Sequence, residues 1–272
     1  MASVLRSSTL IILYICITTN TPVFLKNIRI SAVSYTNTQP FIYGIDHTDI
    51  INKIDLSLDI PADCAQKLID DQVDIGLIPV AATINMPYWE IVSDYCIGAE
   101  GPVNSVFIFS KLPITEVKAI QLDPESRSSN NLARVLMQNY WKVAPQQIVN
   151  ASDYANPADE QTAFVQIGDR TFGKKEQYPY VYDLAEEWIK FTGLPFVFAA
   201  WIANKPIPKE FTEEFNTSLK YGLDHREEVI GNLPARADFD YRDYLLHKLD
   251  FSLTDKKREA LHLFLDYIKK LH

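Results

Sequence analysis

Residues 94–110 read DYCIGAEGPVNSVFIFS and combine a polar segment with a strand signal. The first half carries two glycines and a proline, which predicts a turn. The second half, residues 105–110, is rich in aromatic and β-branched residues and predicts a buried strand. In open α/β folds, small ligands bind where such turns meet the ends of strands. Asn104 and Ser105 are therefore candidate cleft residues, although an ordinary loop before a core strand has the same composition.

The bulk composition is that of a globular protein and argues against several classes of function. The chain has 272 residues, 47% hydrophobic and 22% charged, with a formal net charge of -9, which argues against a nucleic-acid surface. Its nine glycines include no phosphate-binding loop motif. Cys16, Cys64 and Cys96 are too far apart in sequence to indicate a metal knuckle or a disulfide framework. They are typical of a reducing compartment, so we expect a cytoplasmic protein.

The first 26 residues contain an apolar run at residues 10–17 that is too short to span a bilayer. The run has the length of a signal-peptide core, but residues 18–21 are a poor cleavage site. The alternative is a misassigned start at or near Leu25, and we favour this alternative because residues 26–30 resemble the opening of a first strand. Residues 1–26 are thus expected to be a separable extension.

A parallel strand–helix–strand unit is predicted in the first part of the chain. Residues 27–33, 54–60 and 73–80 have strand patterns, and a helix is expected from Pro40 and another from Pro61. The polar break after the first strand places Ser34 and Tyr35 at the sheet edge, where Ile78 and Pro79 should also lie. Side chains and free N–H groups at such an edge make a polar site.

A second sheet is predicted from strands at residues 117–122, 147–150 and 163–167. A serine-rich segment, residues 126–129, starts a helix and could hold a carboxylate, although serines are also ordinary helix caps. Asp169 follows a strand and could touch a ligand, pair with Arg170 or cap the next segment. The apolar run at residues 195–203 is expected to pair with residues 105–110 as the strands that cross between lobes. The tail is predicted to be helical, with Gly222 just past a helix end.

Imidazole and metal chemistry have little support in the sequence. The five histidines are His47, His225, His247, His262 and His272, so none falls in the central part of the chain. There is no H-E-x-x-H motif, no cysteine pair with ligand spacing and no G-x-S-x-G motif. The remaining candidates are Ser, Asn and Tyr side chains with backbone dipoles, which bind anions and orient a reaction that needs little acid–base help.

Several segments together resemble the chorismate dehydratase family of the futalosine route to menaquinone. They are residues 30–38, 74–80, 94–110, 126–129, 167–170, 180–184 and 193–199. Each segment alone is weak evidence for the family, but their order along residues 27–203 is specific to it. The resemblance implies that the chain converts chorismate to 3-[(1-carboxyvinyl)oxy]benzoate with loss of water.

The resemblance also implies an α/β fold of the two-lobed type II periplasmic-binding-protein kind. Each lobe would be a mostly parallel sheet flanked by helices, with two crossover strands between the lobes. Lobe I would comprise residues 27–110 and 201–272, and lobe II residues 111–200. Chorismate would be the small-molecule partner, with no cofactor, metal, nucleic acid or membrane involved. The oligomeric state, monomer or homodimer, is left open.

Carried over by position, the family's catalytic asparagine falls on Asn37 and its central serine on Ser105. The full set of candidate substrate-binding residues is Ser34, Tyr35, Ile78, Pro79, Asn104, Ser128, Ser129 and Asp169. In this hypothesis the serines at 128 and 129 hold the ring carboxylate.

Three other functions fit parts of the pattern. A solute-binding protein for an organic acid would use the same two lobes and would be exported by the segment at residues 10–17. The sister enzyme 1,4-dihydroxy-6-naphthoate synthase is similar in fold but is understood to use a cleft histidine, which the gap from His47 to His225 disfavours. Another lyase or an isomerase acting on chorismate is the third.

Overall fold

The computed structural model describes residues 27–271, which form two β-sheets with helices packed around them. Within this range the strands are β1 (Ile28–Val33), β2 (Ile54–Asp59), β3 (Ile75–Pro79), β4 (Glu90–Ala99), β5 (Val106–Ser110), β6 (Ala119–Gln121), β7 (Gln146–Ile148), β8 (Thr162–Ile167), β9 (Tyr180–Asp183), β10 (Phe196–Ala203) and β11 (Asp250–Ser252). The helices of the same range are α1 (Gln39–Asp46), α2 (Pro61–Ile69), α3 (Ser128–Leu136), α4 (Leu184–Thr192), α5 (Lys209–Asp224), α6 (Arg226–Asn232), α7 (Tyr241–Asp243) and α8 (Asp255–Ile268).

The first sheet combines strands from both ends of the described chain in the order β11-β4-β10-β3-β1-β2. β1 lies parallel to β2 and to β3, as the strand–helix–strand pattern predicts. β10 is antiparallel to β3 and β4, and β11 is antiparallel to β4. The fully buried residues of β10, such as Trp201, pack against α1 and α5 through Phe41 and Phe215. This packing fixes α1, and therefore the residues just before it, on one face of the sheet.

The second sheet has the order β7-β6-β8-β5-β9. β6 is parallel to β7 and β8, whereas β5 is antiparallel to β8 and β9. The predicted fold class is confirmed, with one correction. Both sheets are mixed rather than mostly parallel, because β10 and β11 add antiparallel pairs to the first sheet and β5 adds them to the second.

The stretch at residues 94–110 differs from the prediction in two ways. Residues 94–99 belong to strand β4 and not to a turn, so the turn between the sheets is only residues 100–105. β5 pairs with β8 and β9 in the second sheet, whereas the sequence places it in lobe I. It therefore does not pair with β10, which lies in the first sheet. Gly98 is needed in β4 because Phe196 O and Asp250 O crowd the place of its missing Cβ.

Most of the predicted helices are present, but one helix end is wrong. Helices begin at Gln39 and Pro61, and Thr254 caps α8 by accepting from the backbone N–H of Lys257. Gly222 was expected past a helix end, yet it lies inside α5, where α1 approaches so closely that a Cβ would collide with it.

Residues 1–26, and with them Cys16 and the expected separable extension, lie outside the described residues. Among the residues that are described, no helix combines the length and the apolar character needed to cross a membrane. Cys64 and Cys96 are both fully buried, and burial raises the pKa of Cys64 to about 11. The two thiols therefore act as small core side chains.

Candidate functional site

A cleft lies between the two sheets and is lined by residues from both. Its cavity volume is small, about 50 Å³. Its walls are Val33, Tyr35, Asn37, Thr38, Pro61, Pro79, Ile97, Val103, Ser105, Val106, Ser126, Ser128, Ser129, Ile167, Gly168, Phe198, Ala199 and Leu249. Apolar side chains and neutral polar groups make up this lining, so the lobes close on a narrow and mostly uncharged site.

Most of the predicted site residues meet in this cleft. Those that line it are Tyr35, Asn37, Pro79, Ser105, Ser128 and Ser129. They come from the ends of β1 and β3, the turn before β5 and the start of α3, as expected from the sequence. The structure thus brings together residues that are far apart in the chain, while their roles stay predictions.

Three predicted residues point elsewhere. Ser34 is exposed, and its N–H donates to Asp59 O at 2.9 Å. Ile78 is fully buried inside the first sheet opposite Ala200. Asn104 directs its side chain outward, where its Oδ1 lies 3.5 Å from Lys175 Nζ. None of these side chains lines the cleft.

Asn104 affects the site through its backbone and not through its side chain. Its φ of +57° is left-handed, a conformation that asparagine tolerates better than most residues. Its N–H donates to Asp183 Oδ2 at 2.7 Å, and the same carboxylate caps α4. Burial raises the pKa of Asp183 to about 6. The tight turn sets the position of Ser105, the next residue.

Asp169 joins the lobes rather than lining the cleft. Its carboxylate accepts hydrogen bonds from the backbone N–H of Thr36 at 3.1 Å and from Thr36 Oγ1 at 2.9 Å. Burial raises the pKa of Asp169, an effect that the Thr36 donors partly offset. Tyr35 makes a parallel link, since its hydroxyl donates to Glu125. Both links bridge the strand-end turn of the first lobe to the second lobe.

Three helix starts surround the cleft. Thr38 precedes α1, Pro61 begins α2 and Ser128 begins α3, and all three residues line the site. The N-cap residues of these helices make no side-chain cap, although Ser126 Oγ accepts from the Ser129 N–H in α3. The first turn of each helix carries the positive end of the helix dipole. This arrangement favours an anion without a lysine or arginine in the lining.

Two serines at the start of α3 each accept one hydrogen bond from a backbone N–H. Ser128 Oγ accepts from the N–H of Ala81 in the first lobe at 3.2 Å. Ser126 Oγ accepts from the N–H of Ser129 at 3.1 Å. Each hydroxyl keeps a proton that can be donated to a ligand. Arg127 lies beside them but its guanidinium donates to Gln66 Oε1 at 3.0 Å, on the surface.

Sequence reasoning missed Tyr244, whose hydroxyl lies 2.8 Å from Ser105 Oγ. Tyr244 is 1% exposed and follows α7 in the tail. Burial raises the pKa of Tyr244, and the nearby Ser105 hydroxyl and Asn37 amide oppose that rise. The tail carries no motif around this tyrosine, so its place beside the cleft follows only from the folded structure. Across residues 27–271, no three His, Cys, Asp or Glu side chains are grouped so as to hold a metal ion.

Comparison with known proteins connects the chain to one family. A family model described as menaquinone biosynthesis matches residues 28–270. A Campylobacter jejuni protein named chorismate dehydratase is 28% identical over 157 residues, or 55% of this chain. In that alignment the chain spans 58% of the relative's length.

Solved structures agree on the fold. A protein from Archaeoglobus fulgidus superposes with a TM-score of 0.70 at 13% identity, over 90% of this chain and 97% of that one. A Candida albicans protein described as having the generic periplasmic-binding-protein fold gives 0.60 at 13% identity, over 90% and 94%. An alkanesulfonate-binding protein from Xanthomonas axonopodis, bound to MOPS, gives 0.60 at 14% identity, over 90% and 93%. These likenesses confirm a periplasmic-binding-protein-like fold.

Proposed function

The chain belongs to the menaquinone biosynthesis family, and from that premise we propose that it converts chorismate to 3-[(1-carboxyvinyl)oxy]benzoate and water. The relative named chorismate dehydratase supports this assignment. The observation that carries it is the cleft itself. Neutral polar groups and three helix starts line a narrow space between two lobes, which suits an organic dianion.

The buried thiols Cys64 and Cys96 support a reducing, cytoplasmic location.

The reaction makes modest demands on the protein. The C–H bond at the ether-bearing ring carbon breaks, and its electron pair becomes the third double bond of the ring. The C–O bond to the neighbouring hydroxyl breaks as well, so proton and hydroxide leave together as water. The product ring is aromatic, which supplies the driving force. The protein therefore has mainly to align the breaking bonds and stabilise the departing oxygen.

Different residues of the cleft bind the departing oxygen and the two carboxylates of the substrate. Asn37 and Ser105 hold the departing oxygen and the carboxylate of the enolpyruvyl group. Ser128 and Ser129, at the start of α3, hold the ring carboxylate with their hydroxyls and the Ser128 N–H, since the Ser129 N–H already donates to Ser126 Oγ. A carboxylate of the substrate takes the ring proton, because the described lining contains no carboxylate, imidazole or amine.

Product identification tests the proposal. Purified protein is incubated with chorismate, without added metal or nucleotide, and the mixture is followed by ultraviolet absorbance and mass spectrometry. We expect a new benzoate with the mass of chorismate minus one water. Bound but unchanged chorismate would instead identify a solute-binding protein, and a product of unchanged mass an isomerase. Either result would overturn the dehydratase assignment.

Replacing Ser128 and Ser129 together by alanine should raise KM for chorismate about 10- to 100-fold, the range for lost hydrogen bonds to a charged group. We expect kcat to change little, because these hydroxyls contact a carboxylate away from the breaking bonds. Steady-state kinetics measure both constants. The exposed Ser152, replaced by alanine, is the matched control in the same lobe. An unchanged KM in the double variant would remove this helix start from the binding site.

A further inference from the structure

Tyr244 presents a rigid phenol to the wall of the cleft. It begins a π-helical turn, Tyr244–Lys248, a conformation that occurs frequently at functional sites. Its ring packs edge-on against Phe172 and Phe239, with centroids 5.6 and 5.2 Å away. Its hydroxyl lies 2.8 Å from Ser105 Oγ, and both groups are buried. Phe172 and Phe239 are stacked on each other, so this aromatic pair and the burial of Tyr244 hold the phenol beside Ser105.

The direction of this hydrogen bond follows from acidity. A phenol is a far stronger acid than an alcohol, so the tyrosine is the better donor of the two. Burial raises the pKa of Tyr244, and the nearby carboxylates of Asp169 and Asp183 raise it further, so the phenol keeps its proton. Asp243 and Lys248 flank it on its own helical turn. The phenol therefore donates and Ser105 Oγ accepts.

The hydroxyl proton of Ser105 is then available for a hydrogen bond to a ligand in the cleft. A serine hydroxyl has one proton and two acceptor positions, and Tyr244 fills one acceptor position. Within residues 27–271, Ser105 Oγ makes no side-chain hydrogen bond other than the one to Tyr244. Ser105 also lines the cleft. A substrate oxygen is the partner that remains for its proton.

We propose that Tyr244 is a positioning residue, whose phenol orients the Ser105 hydroxyl so that Ser105 donates its proton to a substrate oxygen. The inference rests on the proposed dehydratase function and adds a residue to it. A hydroxyl that accepts a hydrogen bond becomes a stronger donor, so the phenol both aims and strengthens the bond from Ser105. Asn37, the second predicted catalytic residue, also lies near this phenol, close enough to lower its pKa.

The first test removes the phenol oxygen alone. Tyr244→Phe keeps the ring and its packing, and we expect kcat for chorismate to fall about 10- to 100-fold while KM changes less than about threefold. Tyr241→Phe is the matched control, because Tyr241 packs against the same Phe172 and Phe239 without reaching Ser105. A Tyr244→Phe enzyme with wild-type kcat would overturn the proposal and leave the dehydratase function standing. A wild-type protein that makes no benzoate overturns both.

A double-mutant cycle separates positioning from general stability. In a Ser105→Ala background, Tyr244→Phe should cost less than about twofold in kcat, because the group on which the phenol acts is gone. Equal losses in the two backgrounds would show a structural role and contradict the proposal.

A third measurement applies even if Tyr244→Phe fails to fold. 3-Fluorotyrosine at position 244 keeps the ring and the hydroxyl but is a more acidic phenol and so a stronger hydrogen-bond donor, and the raised pKa of the buried Tyr244 keeps it protonated at neutral pH. We expect kcat at neutral pH to rise about twofold, because the bond from the phenol to Ser105 becomes stronger, while 3-fluorotyrosine at position 241 leaves kcat unchanged. An unchanged kcat with the substitution at position 244 would overturn the inference.

Discussion

Replacing Asn37 by alanine is expected to lower kcat for chorismate about 100- to 1,000-fold, the usual loss when one donor to a developing oxyanion is removed. Asn37 lines the cleft, and its Oδ1 already accepts from Thr38 Oγ1 at 3.1 Å. That bond orients the amide so that its NH2 group is free for the substrate. Because the donor acts on the departing oxygen, most of the loss should appear in kcat, and chorismate should still bind within about tenfold of wild type.

The control for this variant is Gln39→Ala. Gln39 carries the same amide two residues further on, at the start of α1, but it does not line the cleft. Its replacement should leave kcat and KM within about twofold, since Gln39 is half-buried outside the lining of the cleft and substitutions away from such sites have small effects. Steady-state kinetics and equilibrium binding of chorismate measure the two quantities separately. Unchanged turnover in Asn37→Ala, with the fold intact by circular dichroism, would remove Asn37 from the reaction.

The local elements of the fold and the parallel arrangement of β1, β2 and β3 could be predicted from the sequence, but the more distant strand partners could not. β1 and the helix that begins at Pro61 follow from alternation and from proline at a helix start. The assignment of β5 to lobe I was wrong because its apolar residues suit the interior of either sheet equally well. Pairing with β8 and β9 depends on segments more than fifty residues away, and no local pattern encodes that choice.

The same contrast between local and long-range features applies to the candidate site. Asn37 was assigned through the resemblance to the family and Ser128 through the serine-rich helix start, and both line the cleft. Asp169 was placed at the correct strand end, yet its partner Thr36 belongs to the other lobe. Tyr244 lies 139 residues from Ser105 in sequence, in a tail where aromatic residues are ordinary core material. Only the packing of the tail against the lobes gives that tyrosine a place at the cleft.

The crossing of α1 and α5 shows how a remote contact supports the site. Gly44 and Gly222 face each other there, and a Cβ on Gly222 would lie 2.7 Å from Gly44 N and overlap the carbonyl oxygen of Pro40. These are backbone atoms, so no change of rotamer can relieve the overlap. The chain reaches Asn37 directly before α1 begins. Any movement of this helix therefore also moves the candidate catalytic asparagine.

Gly222→Ala is accordingly expected to destabilise the protein by about 3 kcal/mol, the upper range for overpacking, and to lower turnover as well. Gly231→Ala is the matched control, because Gly231 lies inside α6 with no atom within 4 Å of its missing Cβ. Alanine favours a helix over glycine by about 1 kcal/mol, so this control should be neutral or slightly stabilising. Urea unfolding measures both changes. Opposite signs for the same substitution in two helices would identify close approach as the reason for glycine at position 222, whereas equal stabilities would contradict the tight crossing and its support of Asn37.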